Sequence, residues 1–493
     1  MSSPTLYRPE YHFTPPADWM NDPNGLVYFE GEWHLFYQYS PGRAPGSHWG
    51  HAVSTDLVHW EHLPVALAPD DLGIIASGSA VVDWDDTSGF FGGASGLVAI
   101  FTHWRNQDRE GSDQSQSIAY SRDRGRTWTK HVGNPVLPNQ GVADFRDPKT
   151  LWYAPTRRWV MAVATSDHAT FWTSPNLREW TEAGSFGQDQ GTAGDGVWEC
   201  VDLFALPVDG DPARTRWVLN VSLAGARMRY FVGDFDGLTF RSENPAAVVL
   251  RSTLGPDDYA AVTWSDIPSA DGRQVWIGWM AAWWYAERVP TEGWKGYLTL
   301  PRRLELKTTP QGVRLMQTPV AELASLRGAG QAWEDVSLAP DAPFVLPQQS
   351  DSCEIIADFD LGDADEVSIQ VRKGDGEQTV IGYDRAARAL FLDRSRSGVT
   401  DFEAGFGEVK KFPLSGDGTR LHLFVDRASV EVFVDGGEAY AAALIFPSPG
   451  SRGIEVSAAG GTATLRSLRF YALSLRREEG GDSTTAAPDG DGH

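Results

Sequence analysis

The chain has 493 residues, more than one hydrophobic core usually holds, so two domains are expected. Its formal net charge is −24, and such a surface repels a phosphate backbone and an anionic membrane, which excludes nucleic acid and membranes as partners. The only cysteines, Cys200 and Cys353, exclude a disulfide framework, whereas neutral sugars suit both the charge and the 20 tryptophans.

The N-terminal residues, MSSPTLYRPEYHF, contain no basic region followed by an apolar run, so no signal peptide is predicted. No apolar run approaches the ~18 residues that a membrane-spanning helix needs. We therefore expect a cytoplasmic protein, with an extracellular location as the alternative if a leader has been removed.

A hairpin pattern recurs through residues 1–325. Each copy has a short alternating strand, a turn rich in Asp, Asn or Gly, and an aromatic strand, which is typical of a β-hairpin. Four copies end at Trp60, Trp128, Trp180 and Phe240. A fifth unit, VWIGWMAAWWYA, lacks the turn. Repeated hairpins of this kind predict the blades of a β-propeller around an axial channel.

The pattern changes after the repeats. Residues 326–345 are rich in Ala, Pro and acidic side chains and are interpreted as a linker, in a segment expected to contain one short helix. Alternating strands return over residues 346–476, as in LHLFVDRASVEVFVDGG, which predicts an antiparallel β-sandwich. Residues 477–493 are too polar to fold and are predicted to be a disordered acidic tail. The fold class is therefore all-β.

Three acidic side chains precede apolar strands. Asp22 lies in WMNDPNG, Asp147 in FRDP and Glu199 in VWEC. Asn-Asp-Pro-Asn-Gly and Arg-Asp-Pro are strong turn signals, so a turn is the alternative explanation for both aspartates. Glu199 lies between Trp198 and Cys200 and is expected to be half-buried, which suits a general acid. Inner propeller strands begin at the axis, so the three acids would meet at the mouth of the channel.

Several motifs resemble glycoside hydrolase family 32, which contains the invertases, inulinases and levanases. They are WMNDPNG, HWGHAVSTDLVHWEHLP, SGSAVVDW, DFRDPK, VWECVDLF and FVGDFDG, and the likeness resumes at LHLFVDRASVEVFVDGG. The order WMNDPNG, RDP, WEC is highly specific. The resemblance implies a five-bladed β-propeller followed by a β-sandwich, which agrees with the repeats.

The resemblance also implies roles for the acids. Asp22 would be the nucleophile and Glu199 the acid/base of a retaining β-fructofuranosidase, while Asp147 and Arg146 would hold fructosyl hydroxyls. The implied substrates are fructans such as levan and inulin, fructo-oligosaccharides or sucrose, and the chemistry requires no metal or other cofactor. The remaining positions that match sugar-contacting positions of the family are Asn21, Gln38, Trp49, Ser77, Gly78 and Trp283.

This sequence departs from the family pattern around the sugar pocket. SPGRAPGS is short and has no Trp, Ala76 replaces an aromatic residue, and SLAGARMR is abbreviated. WMNNW is replaced by WMAAW, with Ala281 and Ala282 in place of two amides. We expect a more open pocket, or one that Trp283, Trp284 or Trp294 completes.

Two other functions stay open on the sequence alone. Fructosyl transfer would use the same covalent intermediate with a sugar as the acceptor, and a non-catalytic fructan-binding protein would use the pocket alone. A pure binding protein does not need the nucleophile and acid pair, which favours hydrolysis. Association of copies through the sandwich domain is a further expectation.

Overall fold

A computed structural model describes residues 5–43, 48–106, 112–188, 190 and 196–475, and the predicted tail lies outside these ranges. The described residues form β-strands and three short 3-10 helices, Pro41–Arg43, Ala286–Arg288 and Ala321–Leu326. None of the helices in this part of the chain is long and apolar enough to cross a membrane.

The N-terminal strands form one five-stranded, two four-stranded and one nine-stranded sheet. In chain order they are β1 (Asp18–Phe29), β2 (Glu32–Ser40), β3 (His48–Ser54), β4 (Glu61–Leu67), β5 (Ile74–Asp83), β6 (Gly96–Arg105), β7 (Asp113–Ser121), β8 (Thr129–Lys130), β9 (Phe145–Tyr153), β10 (Arg158–Thr165), β11 (His168–Ser174), β12 (Thr181–Phe186), β13 (Trp198–Val208), β14 (Asp211–Leu223), β15 (Arg227–Phe235), β16 (Phe240–Ser242), β17 (Leu250–Arg251), β18 (Tyr259–Thr263), β19 (Gln274–Trp279), β20 (Trp294–Lys295), β21 (Arg302–Thr309) and β22 (Gly312–Pro319).

Five of the N-terminal strands, each the first of a run of consecutive strands, lie at the centre of the domain. Strands β1, β5, β9, β13 and β18 contact one another in a closed ring, as the inner strands of a propeller do. Most neighbouring strands in these sheets are consecutive in the chain and antiparallel, and the parallel pairs are β1–β20 and β13–β21. The propeller prediction is therefore confirmed. The count of five blades stays a prediction, because β13–β16 and β18–β22 are joined in the nine-stranded sheet through a parallel β13–β21 pair.

Every inner strand is interrupted near its beginning. The register of each inner strand against its neighbour shifts between two residues, and these intervals are Met20/Pro23, Ile75/Gly78, Ala162/Ala164 opposite β9, Glu199/Asp202 and Tyr259/Val262. Such bulges bend a strand and re-aim its side chains. Asp22 and Asp147 therefore lie in bulged strands, and the alternative that they form loop turns is wrong.

The C-terminal part is a sandwich of two six-stranded antiparallel sheets, as predicted. Its strands are β23 (Gln331–Leu338), β24 (Phe344–Val345), β25 (Cys353–Asp360), β26 (Glu366–Lys373), β27 (Gln378–Asp384), β28 (Ala389–Arg396), β29 (Lys410–Pro413), β30 (Arg420–Asp426), β31 (Ser429–Val434), β32 (Ala439–Leu444), β33 (Gly453–Ala459) and β34 (Ala463–Ala472).

The linker prediction for residues 326–345 is wrong over most of that range. Gln331–Leu338 pairs with β34 along one edge of the sandwich, and Phe344–Val345 pairs with β33 in the other sheet. The acidic residues of β23 face solvent on an edge strand, which explains why the segment lacks the composition of a buried strand.

The two domains share a buried interface. One apolar cluster contains residues of both the propeller and the sandwich, including Tyr7, Tyr285 and Phe446. The N-terminal segment also crosses the interface, because buried His12 contacts Asp426 through Nδ1 at 2.8 Å and Glu431 through Nε2 at 2.7 Å. The sandwich is therefore attached to the propeller by both apolar and charged contacts.

Candidate active site

The three predicted acids come from three inner strands and meet at one end of the ring. Asp22 is on β1, Asp147 on β9 and Glu199 on β13, each at the beginning of its strand. Ser77, on β5, donates a 2.9 Å hydrogen bond to Oδ2 of Asp22. Backbone N–H of Asp147 is held by Oγ1 of Thr102 at 3.0 Å. The structure thus brings together the acids that the sequence pattern singled out.

Cys200 links the two aspartates. Its backbone N–H donates to Oδ2 of Asp147 at 2.9 Å, and its thiol lies 3.6 Å from Oδ2 of Asp22 and 3.7 Å from Oδ2 of Asp147. Asp147 and Cys200 both have left-handed backbones, with φ of 60° and 46°. Non-glycine residues adopt this conformation at a cost, and such strain concentrates at functional sites. Glu199, the neighbour of Cys200, is thereby fixed beside Asp22.

Two groups hold the Glu199 carboxylate. Arg146 donates to Oε1 at 3.0 Å, and the hydroxyl of buried Tyr259 donates to Oε2. The same guanidinium is bonded to Asp144 and lies 3.9 Å from Oδ2 of Asp147. A single buried cation therefore serves three carboxylates. Glu199 itself keeps 26% of its side chain exposed, so it is half-buried, as expected, and open to a ligand.

Burial controls the acidity of the two aspartates. Desolvation, reinforced by the charge of Glu199, raises the pKa of Asp22 from 3.8 to about 6, against hydrogen bonds from Asn21, Ser77 and Cys200. Desolvation also raises the pKa of Asp147 to about 7, although the charge of Arg146 opposes it. Both groups therefore titrate near neutral pH, where such carboxyls take part in acid–base and nucleophilic chemistry.

Three of the predicted sugar contacts are buried polar residues near the nucleophile candidate. Asn21, Gln38 and Ser77 are buried polar residues around Asp22, and Trp19 donates a 2.8 Å hydrogen bond to Oδ1 of Asn21. Two buried polar atoms, Nε2 of Gln38 and Oδ1 of Asp22, have no hydrogen-bond partner among the described residues. A buried polar group without a partner is unfavourable, so these atoms are candidates to bind substrate hydroxyls.

Two tryptophan predictions are wrong, and the one for Gly78 stays a prediction. Trp49 is fully buried and donates to the carbonyl of Ala76 at 3.0 Å, so it supports the Ser77 strand and does not face a ligand. Close packing requires glycine at position 78, because a Cβ there would lie 2.1 Å from the carbonyl oxygen of Ile100, and this leaves the predicted sugar contact of Gly78 untested. Trp294 is buried beneath the guanidinium of Arg8, 4.1 Å from the ring centre, and so does not complete the pocket.

Trp283 lies at the rim of the site. It is 36% exposed, and its ring stacks on Trp19 with centroids 5.9 Å apart. The backbone N–H of Trp283 donates to the carbonyl of Gly225 at 3.1 Å, and the backbone N–H of Gly225 donates to the hydroxyl of Tyr259 at 3.0 Å. The predicted contact residue Trp283 is therefore connected to both the Asp22 and the Glu199 strands. Trp284 is also exposed. The segment SPGRAPGS, which lacks the Trp of the family pattern, includes residues 44–47, and these lie outside the described ranges.

Sequence reasoning missed two members of the site. Tyr259 contacts Glu199 directly but lies in DDYAAV, which carries no recognisable motif. Thr102 and the bridging role of Cys200 were also missed. These interactions join strands that are far apart in the chain, so no local signal reports them.

Comparisons with known proteins show the family of this chain. The sequence model of the Glycosyl hydrolases family 32 N-terminal domain matches residues 12–319, and that of the family 32 C-terminal domain matches residues 322–472. A levanase of Bacillus subtilis is 52% identical over 95% of this chain and 70% of that protein. A levanase of Bacillus sp. strain L7 is 42% identical, over 95% of this chain and 52% of its own length.

Solved structures extend the similarity to the whole described fold. The crystal structure of exo-inulinase from Aspergillus awamori superposes with a TM-score of 0.84 at 35% identity, covering 95% of this chain and 98% of that one. The fold and the family define a glycoside hydrolase built on a propeller and a sandwich. The chain belongs to glycosyl hydrolase family 32 and is a β-fructofuranosidase.

Proposed function

We propose that this protein releases terminal β-fructofuranosyl units from fructans by a retaining mechanism, with levan as the preferred substrate. The observation that carries the proposal is the contact of Cys200, the chain neighbour of Glu199, with both Asp22 and Asp147. Levan is chosen because the relative at 52% identity is named a levanase. Retaining glycosidases need two carboxyls about 5–5.5 Å apart.

The residues support a two-step reaction. Ionised Asp22 attacks the anomeric carbon of the terminal fructosyl unit while Glu199 protonates the leaving oxygen, and a covalent fructosyl-enzyme forms. Glu199 then takes a proton from water, which attacks the same carbon and releases fructose. Arg146 keeps Glu199 oriented at 3.0 Å, and Asp147 is positioned to accept hydrogen bonds from fructosyl hydroxyls.

The raised pKa of Asp22 gives the proposal a pH dependence. The nucleophile must be ionised, and its pKa of about 6 in the free protein means that kcat/KM falls as the pH is lowered through that value. The charge of Asp22 also raises the pKa of Asp147, so the acidic limb reflects both groups.

The experiment is product chromatography after separate incubation with levan, inulin and sucrose. Fructose as the sole product, released fastest from levan, supports the proposal. Fructo-oligosaccharides longer than the substrate would show transfer, and short oligosaccharides from levan would show endo-cleavage. Asp22→Asn and Glu199→Gln are the matched variants: each should lose at least about a thousandfold in kcat while remaining folded. Near-normal turnover in either variant would contradict the role proposed for the replaced residue.

Association through the sandwich domain is also a proposal. Light scattering coupled to size exclusion would test it, with a mass of 54.1 kDa expected for a single copy.

A further inference from the structure

The ring of inner strands has a second mouth at the ends of the strands, opposite the acids. Trp152 lies five residues beyond Asp147 on β9, and Ser265 lies six residues beyond Tyr259, just after β18. At about 3.3 Å per residue, this places the far mouth about 15–20 Å from the acids. We use "far mouth" for the surface around Trp152, Trp217, Ser265, Asp266 and Gln274.

The far mouth contains a pocket of about 290 Å³, close to the range of small-molecule sites. Trp152 and Trp217 are half-buried in its wall, and Ser265, Asp266 and Gln274 add polar groups. Flat indole faces beside hydroxyl, amide and carboxylate groups are the chemistry that binds a sugar ring.

A buried polar cluster of Lys149, Asp202 and Thr263 separates this pocket from the acids. Nζ of buried Lys149 donates to the carbonyl of Thr263 at 2.8 Å and lies 2.9 Å from Oδ1 of Asp202. Between this polar cluster and the residues Asp147 and Cys200, a cavity of only about 10 Å³ remains, which has room for about one water. The far-mouth pocket is therefore a separate site rather than an extension of the catalytic one.

An exposed, fixed indole stands beside the far mouth. Trp84 is 57% exposed, more than any other Trp among the described residues, yet its Nε1 donates to Oδ1 of Asp266 at 2.9 Å. Its ring packs edge-on against Phe29 at 5.8 Å, and the N–H of Val82 donates to the other oxygen of Asp266. An exposed apolar ring that is held in one orientation is ready to stack on a ligand without further loss of side-chain entropy.

We propose that the far mouth is a second, non-catalytic binding site for a neutral saccharide chain. The net charge of −24 disfavours anionic ligands, and the lining offers both stacking faces and hydrogen-bonding groups. That the saccharide is a fructan rests on the proposed function. A polymer held at this mouth stays near the protein after each cleavage, which raises the local concentration of chain ends.

The first test counts binding sites without turnover. Equilibrium dialysis with the tetrasaccharide nystose is carried out on Asp22→Asn protein, and then on the same background with Trp217→Ala. We expect two bound molecules at saturation in the first and one in the second. Trp333→Ala, a half-buried Trp of the sandwich, is the matched control and should keep two. A single site that the Trp217→Ala change leaves intact would overturn the proposal, whether or not the protein hydrolyses fructans.

The second test uses Trp84→Ala, whose exposed side chain makes loss of folding the smallest risk. In native gels that contain levan, the Asp22→Asn protein should be retarded, and the added Trp84→Ala change should weaken the retardation severalfold. With an active Asp22, the ratio of KM for levan to KM for sucrose should rise about threefold or more. Equal retardation and an unchanged ratio would contradict saccharide binding and leave this surface to a protein partner.

Discussion

Buried carboxylates are the residue-scale feature of this protein. Asp22 and Asp147 are held in a shell of Ser77, Cys200 and Arg146, and each carries charge in a place where charge is unfavourable. Enzymes keep such groups because reactivity needs them, at a cost in stability. The positive φ of Asp147 and Cys200 adds backbone strain at the same place.

Replacing Asp22 by Asn should therefore stabilise the folded protein while it abolishes turnover. The pKa of Asp22 is raised from 3.8 to about 6 in the folded protein. Its ionisation therefore lowers the stability of the folded protein as the pH rises from 3.8 to 6, and the loss is complete above pH 6. Below pH 3.8 the side chain is protonated in both the folded and the unfolded protein. We expect a gain of about 1–3 kcal/mol at pH 7.5 that disappears near pH 4. Thermal melts of both proteins at the two pH values test this. A variant that is less stable at pH 7.5 would contradict it.

Tyr259 should act by positioning Glu199. Tyr259→Phe removes a hydrogen bond to a charged group, worth about 1.5–3 kcal/mol, so kcat on sucrose should fall about 10–100-fold. A fructoside with a good leaving group needs less protonation, so its kcat should fall much less. Tyr230→Phe, another buried tyrosine whose hydroxyl accepts from the N–H of Leu315, is the control and should retain activity. Equal losses on both substrates would indicate a purely structural role.

At the scale of elements, the inner strands depend on bulges and close approaches. The bulges turn neighbouring side chains toward the axis, and strand β5 passes so close to β6 that only glycine fits at position 78. The local sequence there, IIASGSAVV, alternates poorly, as expected for a strand that is interrupted to present Ser77.

Gly78→Ala should push β5 away from β6. The added Cβ would lie 2.1 Å from the carbonyl oxygen of Ile100, so we expect about 1–3 kcal/mol of destabilisation and reduced activity through displacement of Ser77. Gly450→Ala, where a Cβ meets nothing within 4 Å, is the control and should be nearly neutral. Urea unfolding measures both. A Gly78→Ala protein as stable as the control would show that the two strands separate freely.

At the scale of the whole molecule, the N-terminal segment joins propeller and sandwich. Backbone N–H groups of Glu10 and Tyr11 donate to Asp426, and His12 lies between Asp426 and Glu431. The two carboxylates raise the pKa of His12 from 6.5 to about 9 against desolvation. The interface is therefore held by a buried ion pair that depends on protonation of one histidine.

This interface should weaken in alkali. Because the folded-state pKa is above the unfolded one, the stabilisation by His12 is complete below pH 6.5 and is lost as the pH rises through about 9, a change of about 3 kcal/mol. His12→Gln should be less stable at pH 6.5 and show a flatter decline between pH 6.5 and 9.5. His59→Gln, at an exposed histidine, should keep the wild-type slope. Thermal melts across this range test the prediction, and parallel curves for wild type and His12→Gln would contradict it.

Much of this protein is determined by its sequence alone. Hairpin periodicity and turn residues are local, so they predicted an all-β propeller and a following sandwich. WMNDPNG, RDP and WEC singled out Asp22, Asp147 and Glu199, because these motifs resemble those of family 32 and each acid precedes an apolar strand. Two of the four Trp in WIGWMAAWW, Trp276 and Trp279, are core residues. The other two, Trp283 and Trp284, are exposed.

Only the tertiary structure decided what each residue contacts. Cys200 and Tyr259 contact the acids across strands that are distant in the chain, and Trp49 and Trp294 are buried although their residue type suits a sugar pocket. The edge strand Gln331–Leu338 has a polar composition because only one face of an edge strand is covered. Exposure and long-range pairing depend on which surfaces meet after folding, and no local pattern contains that information.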